Sequence, residues 1–109
     1  PIVDGNKIFF VTINGHFVIM NKNDGKIVSS ENILNLLKKK QKLTKIVGFI
    51  MGSGKIYSVT SNGFLIESSA LSGKANFFKK IGDPIISTPI INNGSLYILT
   101  ENSRIIGFN

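Results

Sequence analysis

The chain alternates between short apolar runs and turn-forming residues. Residues 8–13 and 96–100 are rich in β-branched and aromatic side chains and have turn residues at both ends, which is typical of β-strands. Asn14-Gly15 follows the first run, and Asn62-Gly63 follows a similar run later in the chain. Because Asn and Gly tolerate the two positive φ angles of a type I′ turn, these pairs predict tight hairpins.

The apolar pattern is repeated along the chain. Residues 7–15 align without a gap on residues 55–63 and 95–103, with the shared order aliphatic, aromatic, any, aliphatic, Thr, any, Asn, small. The second and third copies start 40 residues apart, whereas the first and second start 48 residues apart. We therefore take the shorter spacing as the period and interpret the extra residues, near 36–45, as an insertion in a loop between repeats.

Each full repeat predicts four strands. Besides the hairpin strands, apolar runs lie at 27–29, 46–51, 75–79 and 85–92. Four antiparallel strands in about 40 residues form one blade of a β-propeller, so the predicted fold is all-β. We expect a first blade portion over 1–45 with the insertion, a second blade over 46–84 and a third, partial blade over 85–109, all within one structural unit.

About two and a half blades do not close a ring, because propellers use about four to eight. The sequence therefore predicts a fragment of a larger propeller. Its end blades would leave apolar faces and strand edges uncovered, so we expect the fragment to self-associate. One segment departs from the strand pattern, since Asn32 could cap a short helix over 33–42 with Ile33, Leu36 and Leu37 on one face.

The basic charge of the chain is concentrated in one segment. The 109 residues carry 13 Lys and Arg against 6 Asp and Glu, a net charge of +7. Five of the bases lie within an acid-free stretch: Lys38, Lys39, Lys40, Lys42 and Lys45. With a single Arg and no aromatic residue nearby, the segment does not predict nucleic-acid binding. It is either a solvated loop or a partner-binding site for an acidic protein domain or an anionic membrane surface.

The repeats resemble the PQQ-like (quinoprotein-type) β-propeller family. Residues 87–102 match the family's order of small apolar strand, Asn-Gly turn, aliphatic-Tyr-aliphatic, Thr and Asn, and residues 71–77 match its Ser-Gly turn and following strand. The Trp typical of that strand is absent, and Phe77 or Phe78 stands in its region.

This resemblance implies a non-catalytic scaffold that binds proteins, most similar to outer-membrane assembly lipoproteins of the BamB type. Such a protein is periplasmic and held at the outer membrane by a lipid anchor, here outside this segment, and its partners are outer-membrane assembly components. The same family contains PQQ-dependent dehydrogenases and sensor ectodomains, which remain alternatives because a fold does not choose a function.

The sequence offers little for catalysis, metals or cofactors. His16 is the only histidine, and it occupies the repeat position of Phe64 and Arg104, which favours a structural role over metal binding. The chain has no Cys and no Trp, whereas a bound quinone needs a stacking platform. The acids, expected mostly in turns or at strand ends, are Asp4, Asp24, Glu31, Glu67, Asp83 and Glu101. We therefore predict no catalytic, metal or cofactor site in this chain and leave open whether a longer parent is an enzyme.

Overall fold

A computed structural model describes residues 1–41, 44–102 and 104–108 of the chain. These residues form eleven strands and a 3-10 helix over Ile33–Gln41. The strands are β1 Ile2–Asp4, β2 Lys7–Val11, β3 His16–Asn21, β4 Ile27–Asn32, β5 Ile46–Gly52, β6 Lys55–Thr60, β7 Phe64–Ser69, β8 Ala75–Lys80, β9 Ile90–Asn92, β10 Ser95–Leu99 and β11 Ile105–Phe108.

The strands form three antiparallel sheets, each wound in chain order. Sheet 1 contains β1 to β4, sheet 2 contains β5 to β8, and sheet 3 contains β9 to β11. The three registers agree: Phe9 lies opposite Ile2 and Ile19, Tyr57 opposite Ile50 and Glu67, and Tyr97 opposite Ile90 and Gly107. The prediction of an all-β chain of antiparallel, four-stranded units is thus confirmed.

The hairpin turns differ from the predicted type I′ geometry. Gly15 and Gly63 have positive φ angles of 92° and 89°, but Asn14 and Asn62 do not share them. Backbone hydrogen bonds from the Gly15 and Gly63 amides to the Thr12 and Thr60 carbonyl oxygens, at 2.9 and 3.1 Å, form these turns. The repeated threonine adds a side-chain acceptor, because Thr12 Oγ1 accepts a hydrogen bond from the His16 amide at 3.0 Å and Thr60 Oγ1 accepts one from the Phe64 amide at 2.9 Å.

The innermost strand of sheet 3 is shorter than the predicted run over 85–92. Only Ile90–Asn92 forms a strand, and Ile85 makes an isolated bridge to Thr100. Pro84 and Pro89 flank the intervening residues, and proline has no amide hydrogen to donate to a ladder. The apolar residues of this segment are therefore not all strand residues.

Sheet 2 lies in the middle of the molecule and is covered on both faces. One apolar core lies between sheets 1 and 2 and includes Phe17, Ile19, Ile56 and Ile66. A second core lies between sheets 2 and 3. It is formed by Val59, Leu65, Ile85, Leu96 and Ile98. The three sheets are therefore stacked face to face in chain order.

The 3-10 helix contributes to the first of these cores. The Asn32 side-chain oxygen accepts a hydrogen bond from the Leu34 amide at 3.0 Å, which caps the segment as predicted. Ile33, Leu34 and Leu37 are buried in the core, whereas Leu36, which we expected on the buried face, is only half-buried. The residues at the start of the segment predicted as an insertion are thus packed in the core between sheets 1 and 2. None of the described helical segments is long and apolar enough to cross a membrane.

Candidate functional site

The lysine segment lies where the 3-10 helix ends. Lys38 is exposed and has a φ angle of 55°, so the helix is kinked there. Lys39 and Lys40 follow in the helical backbone, and Lys42 lies outside the described residues. The Lys45 ammonium donates a hydrogen bond to Asn14 Oδ1 at 3.1 Å. Only the side chains of Lys38 and Lys45 are described, and a role for the five lysines in partner binding stays a prediction.

His16 and its repeat equivalents lie in unlike surroundings. His16 is exposed at the start of β3, Phe64 is buried, and the exposed Arg104 pairs with Asp83 at 2.9 Å. Among the described residues, no group of three or more His, Asp or Glu side chains could hold a metal ion.

A cleft of about 320 Å³ lies between sheets 2 and 3. Its sheet 2 wall includes Tyr57, Leu65, Glu67, Phe77 and Lys79. The opposite wall contains Ile91 and Leu96 of sheet 3. Tyr57, Leu65, Glu67, Phe77 and Lys79 share one face because Tyr57 and Phe77 both lie opposite Glu67, and Lys79 lies opposite Leu65. Aligned strand positions thus bring together residues that are up to 22 positions apart in the sequence.

Two glycines bring the inner strands of these sheets together. A Cβ atom on Gly48 would overlap the backbone and side chain of Thr88, so the close approach of β5 there requires glycine. A Cβ atom on Gly52 would lie 2.5 Å from Ile91 Cδ1, the flexible end of a side chain that could shift. Sheet 3 has three described strands, whereas sheets 1 and 2 have four. The cleft lies between β6, β7 and β8 of sheet 2 on one side and β9 and β10 of sheet 3 on the other.

Phe77 and Phe78 lie on opposite faces of β8. Phe78 faces sheet 1 and packs on Phe64, with ring centroids 6.0 Å apart, and it is 39% exposed. Phe77 faces the cleft and is 50% exposed. Burying a phenylalanine side chain stabilises by about 1.5–3 kcal/mol, so the exposed half of this ring is apolar surface that a binding partner could cover.

The cleft wall also carries an ion pair. The Lys55 ammonium lies 2.9 Å from Glu67 Oε1, and this hydrogen bond, together with the nearby carboxylate charge, raises the pKa of Lys55 above its ordinary value. Glu67 stands at the position of Ile19 in sheet 1 and Gly107 in sheet 3. It lies within β7, not in a turn or at a strand end, so our expectation for the acids does not apply to it.

The cleft was not predicted from the sequence, although one signal points to it. Glu67 shares the strand face of Leu65, so a charged residue follows a buried apolar one on this face of β7. In combination with the exposed Phe77 on the neighbouring strand, Glu67 marks a face that the next sheet does not fully cover. The arrangement can bind an extended apolar segment next to a carboxylate–ammonium pair.

Comparisons with known proteins show the fold of the chain. No protein-family model matches it, and no curated protein matches it in sequence. BamB from Moraxella catarrhalis is 15% identical with a TM-score of 0.68, over 97% of this chain and 31% of that one. A europium-containing methanol dehydrogenase is 17% identical with a TM-score of 0.73, over 100% of this chain and 22% of that one.

A third solved structure is itself a β-propeller domain. The Cps50 (Swd1) beta-propeller domain of Myceliophteria thermophila is 12% identical with a TM-score of 0.57, over 95% of this chain and 48% of that one. The chain thus spans less than half of each of these three proteins. Its three stacked antiparallel sheets are blades of a β-propeller.

Proposed function

We propose that this chain belongs to a non-catalytic β-propeller scaffold that binds a protein partner through the cleft and the neighbouring edge of β11. The observation that carries the proposal is the cleft between sheets 2 and 3, where the half-exposed ring of Phe77 lies beside Tyr57 and Glu67. In sheets 1 and 2 a fourth strand, β4 or β8, pairs with the third, whereas β11 is the last described strand of sheet 3. An extended segment of a partner would pair with β11 and cover the cleft.

An added strand would supply hydrogen-bond partners for the edge backbone and apolar side chains for the cleft. An edge strand presents unpaired amide and carbonyl groups, and an added strand pairs with them while its alternate side chains enter pockets. Ile106 lies opposite Ile98, which is buried in the core between sheets 2 and 3. Directly opposed residues share a face, so the partner residue opposite Ile106 would enter the cleft. We therefore expect an apolar side chain at that position of the partner.

The cellular setting of the scaffold is proposed from two likenesses. The residues at 71–77 and 87–102 follow the PQQ-like repeat pattern, and the fold matches BamB. Both support a periplasmic protein at the outer membrane, with outer-membrane assembly components as its partners. A sensor ectodomain would use the same cleft in the same manner.

A second candidate is a piece of a PQQ-dependent dehydrogenase, which the likeness to a methanol dehydrogenase favours. The two candidates are distinguished by titrating the chain with PQQ and Ca²⁺ and following the absorbance of the quinone. We expect an unchanged quinone spectrum. Saturable binding would favour the dehydrogenase.

The scaffold proposal is tested with a strand that the protein already uses. A fluorescein-labelled peptide of residues 73–81 carries the fourth strand of sheet 2 and serves as the probe, at about 0.15 M salt to screen charge. We expect saturable binding by fluorescence anisotropy. Phe77→Ala in the protein should weaken binding about tenfold, which corresponds to about 1.4 kcal/mol, because it removes apolar surface from the cleft wall.

The adjacent Phe78 is the matched control. It is the same residue type on the same strand, but it faces sheet 1, so Phe78→Ala should leave peptide affinity within about twofold of the original protein. Equal losses for the two variants, or no saturable binding at all, would contradict strand addition at the cleft.

A further inference from the structure

The two end sheets of the stack each expose an apolar face. On the outer face of sheet 1, Val3 is 56% and Ile27 is 61% exposed, and Ile8, Phe10 and Met20 are half-buried. On the outer face of sheet 3, Ile90 is 60% and Ile105 is 72% exposed, and Leu99 and Tyr97 lie between them. Each face is apolar surface without a covering sheet in the described chain.

The shared register shows what covers such a face elsewhere in the chain. Tyr97, Leu99 and Ile105 are the repeat equivalents of Tyr57, Val59 and Leu65, which pack on sheet 3. On sheet 1, Ile8 and Val18 are the equivalents of Ile56 and Ile66, which pack on sheet 1 itself. The outer face of sheet 3 is therefore one half of an interface that the chain already forms twice, and the outer face of sheet 1 is the other half.

The charges of the two faces permit contact despite the net charge of +7. The paired positions on the outer face of sheet 3 are occupied by Ile, Asn, Ser, Tyr, Leu and Gly. Those on the outer face of sheet 1 carry His16 as their one ionisable residue among the described strands. The lysines lie elsewhere, so bringing the faces together buries apolar surface without placing ammonium groups against each other.

We propose that two copies of this chain bind head to tail, with the outer face of sheet 1 in one copy on the outer face of sheet 3 in the other. Such an interface is heterologous, because each copy contributes a different face. By the repeat equivalence, Val3 takes the place of Ile91, which lies against Gly52 and lines the cleft with Tyr57. Gly52 and Tyr57 correspond to Asn92 and Tyr97, so Val3 of one copy would lie near Asn92 and Tyr97 of the other, on the face that also carries Ile90.

The proposal predicts a mass above 11.9 kDa that rises with protein concentration, measured by size-exclusion chromatography with light scattering. Val3→Lys and Ile90→Lys should each yield a monomer, because each blocks one half of the interface, and the two altered faces carry like charges that do not pair with each other. Mixing the two variants should give a 1:1 complex of twice the chain mass, since each variant retains one unaltered face. Both replaced side chains are more than half exposed, so the variants should keep the circular dichroism of the original chain.

Leu71→Lys is the matched control. Leu71 is 91% exposed in a turn away from both faces, so this variant should associate like the original chain. Ile105→Glu is a second variant of the sheet 3 face and should also be monomeric. A monomeric original chain, self-association of either single variant, or a mixture that stays monomeric would overturn the head-to-tail arrangement.

Discussion

The threonine that recurs in each repeat has the same structural role in all three copies. Thr12, Thr60 and Thr100 each accept a hydrogen bond from the backbone amide four residues later. The sequence shows that threonine recurs at this position, but not why, because an Asn-Gly pair beside it equally predicts a type I′ turn. Which acceptor closes the turn depends on the side-chain rotamer, and the spacing of residues does not determine that.

Replacing Thr60 should show how much its side-chain hydrogen bond contributes to the free energy of unfolding. Thr60 is fully buried, so Thr60→Val leaves the Phe64 amide without its acceptor inside the protein. We expect the free energy of unfolding in urea to fall by about 1–3 kcal/mol, the cost of an unsatisfied buried donor. Thr12→Val is the control: the His16 amide belongs to an exposed residue that water can reach, so its loss should be smaller. Equal losses would show that burial does not set the cost.

At the scale of elements, the sequence predicts the cap of the 3-10 helix but not all of its buried residues. The cap at Asn32 and the buried Ile33 and Leu37 follow from the sequence pattern. Leu34 is buried in place of Leu36 because it lies over Gly15, where a Cβ atom would overlap its side chain. That close approach joins two segments 19 residues apart, and a local periodicity cannot predict it.

Leu37 and Leu36 provide a direct comparison on this helix. Leu37 is 3% exposed in the core between sheets 1 and 2, so Leu37→Ala should lower the free energy of unfolding by about 2–5 kcal/mol. Leu36→Ala, at a half-buried position, should cost clearly less. Denaturant unfolding of the two variants tests whether the helix is part of the core, and a larger loss for Leu36 would contradict the structure.

At the scale of the whole molecule, the stacking of the sheets makes the cleft. The repeat predicts antiparallel blades because strands of period two and turns at fixed offsets are local properties of the sequence. The cleft lies next to the close approach of β5 to Thr88 at Gly48, and Gly52 is part of its lining. Those features depend on how two sheets meet, so Tyr57, Glu67 and Phe77 could not be assigned to one site from the sequence.

Hydrogen–deuterium exchange with and without the peptide of residues 73–81 tests the central claim, that β11 is an open edge which accepts a fourth strand. We predict that the amides of Ile105–Phe108 gain protection when the peptide binds, because they acquire strand partners. The amides of β4 should not change. Protection confined to β4 or β8, or unchanged exchange in β11 at saturating peptide, would contradict the account.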